Sequence, residues 1–172
     1  FQIVSLFSGC GGLDLGLVGG FTSLGVRYPK TGMSIAWAAD FDRDAAATYR
    51  ANSRFFGDHD LFEGDVRTFE DFDCLPDYQI LAAGFPCQPF SNAGDREGVG
   101  DTRGRGTLFE ECERFVLHAR RRPLAYIFEN VKGLTRASFA SYLAYIVHQL
   151  TYPELMRRAE ESWEDHLTRL ER

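Results

Sequence analysis

The chain has 172 residues and a mass of 19.4 kDa, with 44% hydrophobic and 26% charged residues, ordinary proportions for one globular domain with a core; a disordered, collagen-like or coiled-coil chain is excluded. Its purely apolar runs, such as Ile80-Leu81-Ala82-Ala83, fall far short of the ~20 residues of a membrane span, and Phe1 to Phe7 show neither a signal-peptide pattern nor an initiator Met, so no secretory leader is expected and the beginning reads as clipped. The net charge of −6 is uneven, with −7 in residues 36–77 and +2 in residues 78–150, so a basic face for nucleic acid is expected in the latter segment if anywhere.

In chain order, short apolar runs alternate with helical periodicity, the pattern of βαβ units and a mostly parallel sheet; the predicted fold class is α/β. Ile3 to Phe7 is a buried strand, Gly9-Cys10-Gly11-Gly12 a tight turn, and Leu13 to Leu17 a short helix stopped by Gly19-Gly20. Ser34 to Ala39 is a second strand ending at Asp40, followed by a helix from the N-cap Asp42 to about Asn52. Leu61 to Glu63, Tyr78 to Ala83 and Leu124 to Phe128 are strands three to five. A capping box, Thr107-x-x-Glu110, opens a helix whose apolar face is Leu108, Cys112, Phe115, Val116 and Ala119. A later helix carries the stripe Phe139, Tyr142, Leu143, Ile146, Val147 and Leu150, and Pro153 to Arg172 reads as one more helix with Pro153 near its first turn. The loop 91–106, with five glycines, has the composition of a mobile lid.

In open parallel sheets ligands settle outside the carboxyl ends of the strands, and each predicted strand end here carries unusual residues. The first ends in glycines that let backbone approach a ligand; a dinucleotide fingerprint would need a third glycine where Asp14 stands, which counts against NAD. The second ends in Asp40-Phe41 and the third in Gly64-Asp65. Each alone reads equally well as a turn, but together they suit a nucleoside without phosphates, whose hydroxyls and amine need acceptors. The fourth runs into Pro86-Cys87-Gln88-Pro89. A free Cys is usually a small buried hydrophobe, yet two flanking prolines stop strand or helix and hold this thiol on a stiff loop, which favours a nucleophile. Cys10, Cys74 and Cys112 keep the structural reading, and with no C-x-x-C pair and no ligand spacing among the four histidines neither zinc nor a disulfide framework is expected, consistent with a reducing, cytoplasmic setting. The fifth ends in Glu129, whose pKa is expected to be raised if the carboxylate is buried, as suits a proton donor or a partner of a heteroaromatic ring; the competing reading is a helix cap.

Leu6 to Gly12, Asp40-Phe41, Gly64-Asp65-Val66, Gly84 to Ser91, Arg105 to Phe109 and Glu129-Asn130-Val131 together resemble successive motifs of the DNA (cytosine-5) methyltransferases, in that family's order and over about residues 1–150. The resemblance implies a Rossmann-like fold dependent on S-adenosylmethionine, which leaves as S-adenosylhomocysteine. It implies that Phe7, Gly9, Gly11 and Gly12 surround that cofactor, Asp40 takes its ribose hydroxyls, Phe41 packs on adenine, Asp65 and Val66 meet the adenine amine and ring, and Pro86 and Leu108 line the methionine side. Cys87 is implied as the nucleophile on cytosine C6 and Glu129 as the partner of its N3 and exocyclic amine, with Asn130 supporting. Gln88, Ser91, Arg96, Arg103 and Arg105 fall in the loop expected to close over duplex DNA from which the cytosine has been flipped. Neither a metal nor a membrane is implied. The family's later Gln-x-Arg-x-Arg segment and its target-recognition domain have no counterpart here, so the sheet is expected to lack its last two strands, and the chain reads as a fragment or as one subunit completed by another chain. The readings weighed against DNA methylation in a bacterial restriction-modification or defence system are a cofactor-binding module inactive alone, a tRNA-directed relative and, weakest, a dinucleotide oxidoreductase.

Overall fold

The structure, a computed structural model, describes residues 1–86, 108–158 and 160–172. The chain divides into two units, residues 1–85 with 118–129 and residues 86–117 with 130–172.

The first unit is built on a parallel sheet. Its strands are β1 (Gln2–Leu6), β4 (Ser34–Asp40), β5 (Asp60–Glu63), β6 (Ile80–Ala83) and β7 (Ala125–Phe128), in the order β5-β4-β1-β6-β7. The helices α1 (Gly12–Val18), α2 (Arg43–Ala51) and α3 (Ser53–Phe56) fall between the first three of these strands. A small antiparallel hairpin, β2 (Phe21–Ser23) with β3 (Val26–Tyr28), follows α1 and was not expected from the sequence; Phe21 and Tyr28 stack across it at 4.8 Å. The sheet strands read as continuous apolar runs because their central members are covered on both faces: Ile3, Val4, Leu6, Leu81, Ala82 and Ala83 are fully buried. One face packs Ile3, Ile35, Ala38, Ile80 and Ala82 with Val18, Tyr49 and Phe56 of the helices. Trp37, one residue from Ala38 and so on the other face, begins a run of aromatic contacts through Phe69 and Phe72 to His118.

Asp42 caps α2 as expected, its carboxylate accepting from the backbone N–H groups of Asp44 and Ala45 at 2.9 Å.

The second unit contains α4 (Phe109–His118, whose last residue belongs to the first unit), α5 (Ala140–Thr151) and α6 (Trp163–Leu170). The predicted face of α4 is buried at Leu108, Cys112, Phe115 and Val116; Thr107 of the expected capping box lies outside the described residues. On α5 the buried face is rotated from the predicted one: Tyr145 and Gln149 are inside with Tyr142, Ile146 and Leu150, whereas Val147 is 55% exposed. The cause is α6, against which Tyr145 packs through Trp163 and His166. The His166 Nε2–H donates to the Leu155 carbonyl at 2.6 Å, which leaves Nδ1 to accept from the Tyr145 hydroxyl at 3.1 Å. The helix expected from Pro153 onward is confined to α6, which is capped by Ser162 rather than opened by Pro153.

Candidate active site

A parallel sheet reverses its winding where consecutive strands leave on opposite sides, and the crevice at the carboxyl ends there is the standard ligand position. In this sheet the reversal lies between β1 and β6, since β4 and β5 build outward on one side of β1 and β6 and β7 on the other. The register fixes which residues face that crevice. Leu6 pairs with Ala39 and with Ala83, and Ala83 pairs with Phe128. One residue further along stand Asp40, Phe7, Gly84 and Glu129, side by side. With strands ~4.8 Å apart, this row spans ~14 Å from Asp40 to Glu129.

Backbone bonds hold the row together. Ser8 N–H donates to Ala39 O at 3.0 Å, Gly84 N–H to Leu6 O at 3.3 Å and Glu129 N–H to Ala83 O at 3.0 Å. Phe7 has φ +54°, a left-handed conformation unusual for a bulky residue and retained where the surroundings impose it. Gly9 and Gly11 are left-handed as well, which suits glycine. At Gly11 there is no room for anything larger, because a Cβ would overlap the Phe56 ring and stand 3.1 Å from Tyr49 Cδ2. At Gly9 and Gly12 a Cβ would meet nothing within 4 Å among the described residues, so among these the other side of the turn is open.

Asp40 does more than the sequence suggested. It is 8% exposed, and its Oδ2 accepts from Gly9 N–H at 2.7 Å while Oδ1 accepts from Asp42 N–H at 2.8 Å. A carboxylate has about four lone-pair sites, so Asp40 both anchors the glycine turn and keeps acceptor capacity. Phe41, next to it, is 72% exposed, an aromatic face presented beside a buried acid. Asp65 caps a 3-10 turn, Val66–Thr68, and pairs with Arg67, whose hydrogen bonds hold its carboxyl below the ordinary value; Val66 is buried. At the other end of the row a Cβ on Gly84 would stand 3.7 Å from Glu129 Oε2 and 3.6 Å from the Phe7 carbonyl, so this carboxylate lies over the backbone at the reversal point. Glu129 is exposed, so the burial on which a raised pKa depended is not met.

In the second unit, Pro86 is partly buried, Leu108 is buried and Asn130 accepts the Val131 N–H on Oδ1 at 2.9 Å. Cys87, Gln88, Ser91, Arg96, Arg103 and Arg105 lie outside the described residues.

The edge Asp40, Phe7, Gly84, Glu129 is chemically suited to a cationic nucleoside derivative. It offers acceptors at both ends, an exposed ring near one, an open glycine turn between, and acidic groups that attract a sulfonium and repel a pyrophosphate. Sequence reading named these residues but not what fixes the turn: the contacts of Asp40 with Gly9, and those of Asp14 described below. Among the described residues no helix is long and apolar enough to cross a membrane.

The family model described as C-5 cytosine-specific DNA methylase matches residues 1–152. The Type II methyltransferase M.HgiCI of Herpetosiphon aurantiacus is 38% identical over 155 residues, 88% of this chain and 33% of that protein. The Type II methyltransferase M.NlaX of Neisseria lactamica is 40% identical over 134 residues, 78% of this chain and 37% of that protein. The chain thus spans about a third of the length of the curated relatives it matches. The solved Dnmt2 methyltransferase of S. pombe shares the fold, with a TM-score of 0.56 at 23% identity over 86% of this chain and 41% of that one.

Proposed function

The chain belongs to the C-5 cytosine-specific DNA methylase family, and from that premise we propose that it takes part in methylating C5 of cytosine in duplex DNA, with S-adenosylmethionine as donor, within a bacterial restriction-modification system. The observation that carries the reading is the single row at the sheet's carboxyl edge, in which the acceptor pair Asp40 and Glu129 flanks Phe7 and Gly84. The Type II names of the relatives support the modification role.

S-adenosylmethionine, when bound, supplies a methyl group activated on a positively charged sulfur. Asp40 would accept its ribose hydroxyls, Phe41 would lie against adenine beside Asp65 and Val66, Phe7 with Gly9, Gly11 and Gly12 would let the backbone approach, and Pro86 and Leu108 would line the methionine side. Cytosine C5 is a weak nucleophile, and Cys87 overcomes this by adding as thiolate to C6, which pushes electron density onto C5. Glu129 holds N3 and the exocyclic amine, where charge changes as the ring loses aromaticity. After transfer the C5 proton departs to base, the C6–S bond breaks, and Cys87 is regenerated as thiolate. The base must leave the duplex to be reached, and Gln88, Ser91, Arg96, Arg103 and Arg105 are the loop residues assigned to holding DNA in that state, with Asn130 bracing the Glu129 segment.

Incubating the chain with S-adenosylmethionine and a duplex carrying 5-fluorocytosine tests this, because fluorine at C5 cannot leave as a proton does. A denaturation-resistant protein–DNA adduct that Cys87→Ser abolishes is the expected result. Calorimetric binding of S-adenosylhomocysteine with no adduct would overturn the covalent role of this chain and leave it a cofactor-binding part.

A further inference from the structure

A second polar cluster lies buried beneath the glycine turn. Asp14, in α1, is fully buried, and its carboxylate accepts from the Ser5 hydroxyl at 2.6 Å on Oδ1 and from the Tyr49 hydroxyl at 2.7 Å on Oδ2. His59 Nε2 stands 3.2 Å from the same Tyr49 hydroxyl. Burial holds the Asp14 carboxyl above its ordinary value, and the two hydroxyls lessen that rise without cancelling it. For stability alone such a cluster has no advantage, since well-packed apolar side chains in its place would serve the core as well. What a satisfied polar network adds is rigidity and a defined geometry.

That geometry falls on the turn. Ser5 in β1 and Asp14 in α1 are nine residues apart and bracket Phe7 to Gly12, so the bond between them ties the two ends of the segment together. Tyr49 acts from the side: its ring is one wall of the space at Gly11, and its hydroxyl holds the second oxygen of Asp14. Phe7, at φ +54°, is the kind of unfavourable backbone that survives only when its neighbours over-determine it.

We propose that Asp14, held by Ser5 and Tyr49, is a positioning residue that keeps the Phe7–Gly12 turn in the shape that receives S-adenosylmethionine. The inference rests on the cofactor reading of that turn given above. Tyr49→Phe keeps the ring against Gly11 and removes only the hydroxyl, and Ser5→Ala acts on the other carboxylate oxygen. In titrations of S-adenosylhomocysteine well below each melting midpoint, both variants are expected to bind about tenfold more weakly than the unaltered chain. Amide exchange at Gly9 to Gly12 is expected to accelerate. Should Tyr49→Phe fail to fold, Ser5→Ala carries the test. If both variants bind normally while Phe41→Ala loses affinity, the cofactor reading stands and the positioning role is overturned, even if the melting midpoints have fallen. If the unaltered chain binds no S-adenosylhomocysteine, the cofactor reading fails and the inference fails with it.

Discussion

Glu113 sits on the inner side of α4, 7% exposed, beside the buried Cys112 and Val116, and its Oε1 has no hydrogen-bond partner among the described residues. Burial, reinforced by the charge of Glu110 and opposed by Arg157, pushes its pKa from 4.5 up to about 8. A carboxyl with a raised pKa binds its proton more tightly in the folded chain than in the unfolded one. Its contribution is therefore fully present below pH 4.5 and is lost as pH rises through about 8. Each pH unit in that window removes about 1.4 kcal/mol, so the folded state loses ~3 kcal/mol by pH 7 and up to ~5 kcal/mol by pH 8 and above. Against a typical domain stability of ~5–15 kcal/mol, this is a large share. Glu113→Gln keeps the shape and cannot ionise. Urea unfolding of both proteins at constant ionic strength should show the variant's advantage growing by roughly 3 kcal/mol between about pH 5 and 8. Parallel curves, with a constant difference across that range, would refute the argument that Glu113 is held neutral by burial.

Gly11→Ala forces a Cβ into the Phe56 ring at a residue with φ +88°; a left-handed alanine and an overpacked contact together should cost ~2–5 kcal/mol, read by chemical denaturation. Phe41→Ala removes a ring that is mostly in solvent, so the melting midpoint should move by no more than about 2 °C while S-adenosylhomocysteine affinity, measured by calorimetry, falls by about tenfold or more; equal losses in both would place Phe41 in the core rather than at the ligand.

Much of the sheet unit was legible because its strands are buried on both faces, so runs such as Ile3 to Leu6 and Ile80 to Ala83 stand out without any need for alternation. The placement of the candidate residues Asp40, Gly84 and Glu129 at the carboxyl edge was legible for a related reason: a strand end followed by Gly, Asp or Glu marks that edge directly. The hairpin Phe21–Ser23 with Val26–Tyr28 was not, since three-residue strands are too short to carry a period and Leu24-Gly25 is a weak turn signal. The α5 face was misjudged because Tyr145 is buried against α6, a tertiary partner that no local pattern discloses. Asp14 was legible only as a missing glycine. Its role depends on Ser5 and Tyr49, nine and thirty-five residues away, and pairings across such distances leave no local trace.

The central strand β1 has one neighbour, β4, about 32 residues downstream, and the other, β6, about 77 residues downstream. During synthesis at ~5–20 residues per second, the side of Ile3 to Leu6 that later meets β6 remains an open apolar edge for several seconds after β4 has been made. An unpaired edge of that kind invites pairing with other chains. The segment between β5 and β6, rich in acids from Asp65 to Asp77, is made in the second half of that interval, and its charge would repel a second copy just before Ile80 to Ala83 arrives to close the sheet.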